Sequence, residues 1–85
     1  MEYPILTTAQ LALHLRSLRK ARGLTQAALG KKLGVDQARM GKIERDPASV
    51  SVRQLMQLLS LLEVRLVLED KAAKTSRQGA IPRPW

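Results

Sequence analysis

Between Leu24 and Glu44 the chain reads LTQAALGKKLGVDQARMGKIE, two short helix signals separated by a tight turn. Thr25 carries a hydroxyl suited to capping the first helix, and Leu29 and Leu33 lie one turn apart, so a single face of that helix meets a core. Gly34 stops it, because glycine enters a left-handed cap without steric cost. Asp36 follows as the N-cap of a second helix in which Met40 and Ile43 face inward and Gln37, Ala38, Arg39 and Lys42 stay outside. Two helices this short, each apolar on one face, pack at a steep angle and leave the polar side of the second open. That is the arrangement of a helix-turn-helix, which presents its second helix to the major groove of DNA.

Charge supports a polyanionic partner. The 85 residues carry 15 Lys and Arg against 7 Asp and Glu, a formal net charge of +8. Each phosphate that such a surface neutralises releases a condensed counterion. Charge alone would also suit RNA or anionic lipid; the helix-turn-helix pattern is what favours duplex DNA. Other function classes find little support. There is no Cys, His14 is the one histidine, and no nucleophile, metal set or glycine-rich cofactor loop stands out, so no enzyme activity and no cofactor are expected. No apolar run approaches the roughly 20 residues that span a bilayer, and the N-terminus lacks a signal-peptide pattern, so a cytoplasmic protein is expected.

Around the central pair the chain offers two more helices. Thr7 or Thr8 caps a first one, with Leu11, Leu15 and Leu18 on its inner face and an outer face made basic by Arg16, Arg19, Lys20 and Arg22, ending at Gly23. A basic amphipathic helix also suits a membrane surface or a calmodulin-like groove; its place directly before another capped helix makes it part of a bundle. After an Asp46-Pro47 loop, Ser49 or Ser51 caps a fourth helix through about Leu62. Val52, Leu55, Met56, Leu59 and Leu62 follow helical spacing there, and Leu58 and Leu61 widen the apolar surface beyond what one core needs. Either a small core wraps them all or a second partner covers the excess.

Residues 64–69, VRLVLE, alternate with a period of two and read as a strand, unless the fourth helix runs on through them. A strand needs a partner, either the lead from Tyr3 to Leu6 or its own copy in a second subunit. Pairing across a homodimer also covers the spare face of the fourth helix, which assigns Val64, Leu66, Leu68, Leu58 and Leu61 to dimerisation. The chain divides into a DNA-binding and dimerisation domain over residues 1–70 and a polar tail over residues 71–85, expected to be flexible. The tail ends in IPRPW. Ile81 and Trp85 sit there on a proline-stiffened frame that loses little entropy on docking, although a terminal Trp without a role would read the same.

Position along the second helix of the pair assigns the DNA contacts. Gln37 is placed to give and accept with adenine, and Ala38 to touch a thymine methyl or allow close approach. Arg39 suits guanine or a phosphate, and Lys42 a base or the backbone. Gln26, at the start of the preceding helix, would meet a phosphate together with exposed backbone amides. Lys32 and Arg45, with Lys31 and Arg22, are weaker candidates. Gly30 and Gly41 each need a reason to sit inside a helix: close helix contact for Gly30, and room for a DNA backbone or methyl group at Gly41 on the outer face.

With these residues in view, Thr25-Gln26, Leu29-Gly30, Leu33-Gly34-Val35, Gln37 and Ile43-Glu44 resemble the Cro/C1 phage-repressor (XRE) family over about Leu11 to Leu62. The resemblance implies an all-α repressor-like bundle, here with one short C-terminal β-strand pairing across a homodimer. It also implies an ion pair between Arg19 and Glu44, which charge pattern alone reads as solvated. The whole chain is closer still to HipB-type antitoxins, similar in length, in the strand after the fourth helix and in a tail ending at Trp. That resemblance implies a dimer that represses its own operon at a palindromic operator and holds a HipA-type serine/threonine kinase toxin, with Trp85 and Ile81 as toxin-binding residues. Arg39 and Gly41 stand where that group commonly has Thr and Ser, so the operator sequence does not carry over.

Overall fold

The structure is a computed structural model and describes residues 2–72. Four α-helices follow in order: α1 (Thr8–Ala21), α2 (Gln26–Leu33), α3 (Gln37–Arg45) and α4 (Val52–Leu61), with a single 3-10 turn at Pro47–Ser49 before α4. Each helix begins on a side-chain oxygen. Thr7 accepts from the Gln10 backbone N–H while the Gln10 side chain accepts from the Thr7 N–H, a reciprocal cap. Thr25, Asp36 and Ser51 accept from Ala28, Arg39 and Gln54 in the same way. Of the paired alternatives, Thr7 rather than Thr8 and Ser51 rather than Ser49 are the caps; Ser49 closes the 3-10 turn by donating to the Asp46 carbonyl.

Leu15, Leu29, Met40, Ile43, Leu58, Leu59 and Leu62 form the buried core. Six of these side chains are fully enclosed, each contributing about 2 kcal/mol of apolar transfer. Gly30 makes the closest helix approach possible. A Cβ there would meet the Val35 carbonyl oxygen at 2.9 Å and the Met40 Cβ at 3.3 Å, so α2 and the start of α3 could not come together over any larger residue. Gly34, at φ +92, turns the chain between them, and the Val35 N–H closes the turn on the Gly30 carbonyl at 2.8 Å.

α4 is rotated from its expected setting. Leu55, Leu58, Leu59 and Leu62 point inward, whereas Val52 and Met56 are more than half exposed. Leu58 was expected at a dimer surface and is instead completely buried, so that assignment is corrected: it fills the core and has no surface to offer a second chain. Leu61 and Val64 are half-buried against the core, Leu66 is exposed, and Leu68 is 92% exposed. The helix does not continue through residues 64–69. Among the described residues no β-ladder forms and no backbone–backbone hydrogen bond involves residues 65–70, so the lead does not pair with this segment. The two instead flank a groove of about 920 Å³ lined by Tyr3, Ile5, His14, Leu59, Val64 and Leu66. Tyr3 rests on His14 of α1, with ring centroids 4.7 Å apart.

Candidate nucleic-acid interface

α3 is held from beneath by a buried ion pair. Arg19 donates through Nε to Glu44 and through Nη1 to the Leu24 carbonyl oxygen at 2.8 Å, with side chains only 11% and 4% exposed. Glu44 also accepts from the Gln26 amide nitrogen at 3.3 Å. One carboxylate thus ties α1, α2 and α3 together, and no buried side-chain polar atom among the described residues lacks a partner. A buried pair adds little net stability, but removing one partner strands a desolvated charge at a cost of about 3–5 kcal/mol. Its effect is to fix where α3 lies. Charge pattern alone missed it, although the signal was there: Arg19 follows Leu15, and Glu44 follows Met40, by one helical turn on the inward faces.

On the opposite side of α3, Gln37, Ala38 and Lys42 are exposed, as expected for residues facing a duplex. Arg45 is exposed on the same face one turn further on, its guanidinium lying over Gly41. Gln26 is half-buried, its side chain crossing from the start of α2 onto that same glycine. These residues form one continuous outward strip. Arg39 does not join it. Its side chain is half-buried and its Nη2 donates to the Ser49 carbonyl oxygen at 3.3 Å, so here it fastens the 3-10 turn to α3 instead of standing free for the guanine or phosphate contact expected of it. Lys32 is exposed but borders α4, where it lines a shallow groove with Arg53, Met56 and Leu61. Arg22, another weaker candidate, donates through Nε to the Leu62 carbonyl oxygen at 2.9 Å and so braces the end of α4.

The remaining assignments concern other surfaces. Leu66 and Leu68 are open to a partner, with Val64 and Leu61 at their base. Ile81 and Trp85 lie outside the described residues. Among the described residues no group of three or more His, Cys, Asp or Glu is placed to hold a metal, and no helix is long and apolar enough to cross a membrane.

Residues 10–72 match the family described as "Helix-turn-helix domain". Antitoxin HipB of Escherichia coli O6:H1 is 33% identical over 66 residues, covering 78% of this chain and 70% of that protein. Antitoxin HipB of Escherichia coli K12 is 32% identical over 66 residues, covering 78% and 75%. Among solved structures, a HipB–O2 20mer complex superposes with a TM-score of 0.73 at 31% identity, covering 84% of this chain and 99% of that one. A HipA–HipB–O2–O3 complex gives 0.72 at 30% identity, covering 82% and 99%. With its four-helix order, its outward strip on α3 and these relatives together, the chain belongs to the HipB antitoxin family of helix-turn-helix proteins.

Proposed function

We propose that this chain is a DNA-binding transcriptional repressor and the antitoxin of a type II pair, acting by binding rather than by catalysis. As a homodimer it binds a palindromic operator in its own operon and neutralises a HipA-type serine/threonine kinase toxin. The observation that carries the DNA half is the outward strip of α3, polar and uncovered on a helix clamped from below by Arg19 and Glu44. Gln37 reads a base edge, Ala38 lies against a thymine methyl, and Lys42 holds a base or the backbone. Gln26 keeps one amide hydrogen beyond the one given to Glu44 and contacts phosphate with Arg45, while Lys32 adds a weak sequence-independent attraction.

The dimer half rests on exposed Leu66 and Leu68 and on the absence, among the described residues, of backbone partners for 65–70. Two such segments pair isologously across a twofold axis, leaving one α3 for each half-site. Toxin binding is supported by the names of the relatives and the solved HipA–HipB–O2–O3 complex. Trp85 and Ile81, on residues 71–85, are the proposed anchor, beyond a DNA-binding and dimerisation unit over 1–70. Operator binding places this work in the cytoplasm. Footprinting across the DNA upstream of its own gene is expected to show a protected inverted repeat with half-sites about one helical turn, or a multiple of it, apart; an unprotected region would refute the repressor. Titrating a neighbouring kinase with full-length and Trp85-deleted protein is expected to show weaker binding of the truncated form, and equal affinity would refute the tail anchor.

A further inference from the structure

We propose that Gly41 is a positioning residue for duplex binding: the side chain it lacks leaves a notch on the outward face of α3 that seats Gln26 and Arg45 side by side as a clamp for one backbone phosphate. The inference rests on the reading that this face meets DNA. Glycine inside a helix is destabilising relative to alanine, so its presence asks for a reason. Conformation does not supply one, since the positive-φ glycines are Gly23 and Gly34. Core packing does not either. At Gly30 an added Cβ would strike backbone, whereas at Gly41 it would meet Gln26 Oε1 and Arg45 Nη1, each at 3.3 Å, the polar ends of two flexible side chains.

Gly41 is buried although its neighbours on the same face, Ala38 and Lys42, are exposed, because the Gln26 and Arg45 side chains lie over it. Their orientation follows from chemistry. Glu44 can only accept, so the Gln26 amide must turn its nitrogen to the carboxylate and lay its oxygen over Gly41. Arg45 makes no ion pair among the described residues. Over Gly41 the Arg45 guanidinium thus lies beside Gln26 Oε1, with the Gln26 amide nitrogen behind it; in the proposed clamp the guanidinium is the main donor to the non-bridging oxygens of a phosphodiester, and the second Gln26 amide hydrogen adds to it. A methyl group at position 41 would displace both ends while leaving the backbone untouched.

The test compares wild type with Gly41→Ala and Gly41→Ser on a short labelled duplex that the wild-type protein has selected from a random pool, and on a scrambled duplex. Both variants are expected to melt at or above the wild-type temperature yet to bind both duplexes on the order of tenfold more weakly, with a salt dependence shallower by about one counterion. In a Gln26→Ala, Arg45→Ala background the same changes are expected to alter affinity by less than about twofold, because nothing is left to displace. Wild-type affinity and salt slope in the Gly41 variants, a lowered melting temperature, or a loss that persists in the double background would each overturn the proposal. A wild-type protein that binds no duplex at all would remove the DNA reading and this inference together; a binding wild type with indifferent Gly41 variants removes this inference alone.

Discussion

Glu63 adopts a backbone conformation that opposes its residue type. It stands at φ 63, just past α4, where its N–H reaches the Ser60 carbonyl and the Val64 N–H reaches that of Leu59, both at 3.0 Å. The same ladder closes α1 at Gly23 and α2 at Gly34, where glycine takes the left-handed turn at no steric cost. A glutamate there pays about 1 kcal/mol. Its ion pair with Arg22, 3.6 Å long with the Glu63 side chain 75% exposed, returns little of that. Glu63→Gly is therefore expected to stabilise the domain by about 1 kcal/mol, raising the thermal midpoint by roughly 4–8 °C. A calorimetric scan checks this, and a lowered midpoint would show that the Arg22 contact outweighs backbone strain. Residue type also misleads at Arg19 and Glu44. Arg19, grouped by charge with the basic outer face of α1, lies one turn from Leu15 and is buried with Glu44, each because the other supplies its counter-charge.

At the scale of elements, the helices were legible because their starts are written in single residues. Thr25 and Asp36 cap as their hydroxyl and carboxylate allow, and Gly23 and Gly34 mark two of the stops. The end of α4 near Leu62 was legible from where its apolar spacing runs out, and the left-handed Glu63 just beyond it was not. The phase of α4 was legible only in part: Arg53, Gln57 and Ser60 form an exposed polar stripe, but Val52 and Met56 on its border turn outward and Leu58 turns into the core. The exposure of Gln37, Ala38 and Lys42 was legible by helical period, and the surroundings of Arg39 and Gly41, which come from the Ser49 turn and from α2, were not. The rotation of α4 separates two variants cleanly. Leu58→Ala should cost about 2–5 kcal/mol in denaturant unfolding without acting first on subunit association. Leu68→Asp, at a site 92% exposed, should leave the folded monomer intact and weaken the dimer, as sedimentation would show. A dimer unaffected by Leu68→Asp would remove residues 64–69 from the interface.

For the whole molecule, the buried ion pair, the Gly30 contact and the Asp36 cap serve one end: they hold a nine-residue helix with its inner face locked and its outer face open. Eight surplus positive charges bring such a helix to any duplex, so affinity alone does not reveal which residues read sequence. Discrimination between duplexes does. The direct measurement is the ratio of affinities for a selected duplex and its scrambled counterpart, taken for Gln37→Ala and Lys32→Ala alongside the wild type. Gln37→Ala is expected to collapse that ratio by roughly five- to a hundredfold, mainly through the selected duplex, and Lys32→Ala to weaken both duplexes modestly and equally. Equal losses on both duplexes for both variants would mean that the first turn of α3 does not read DNA.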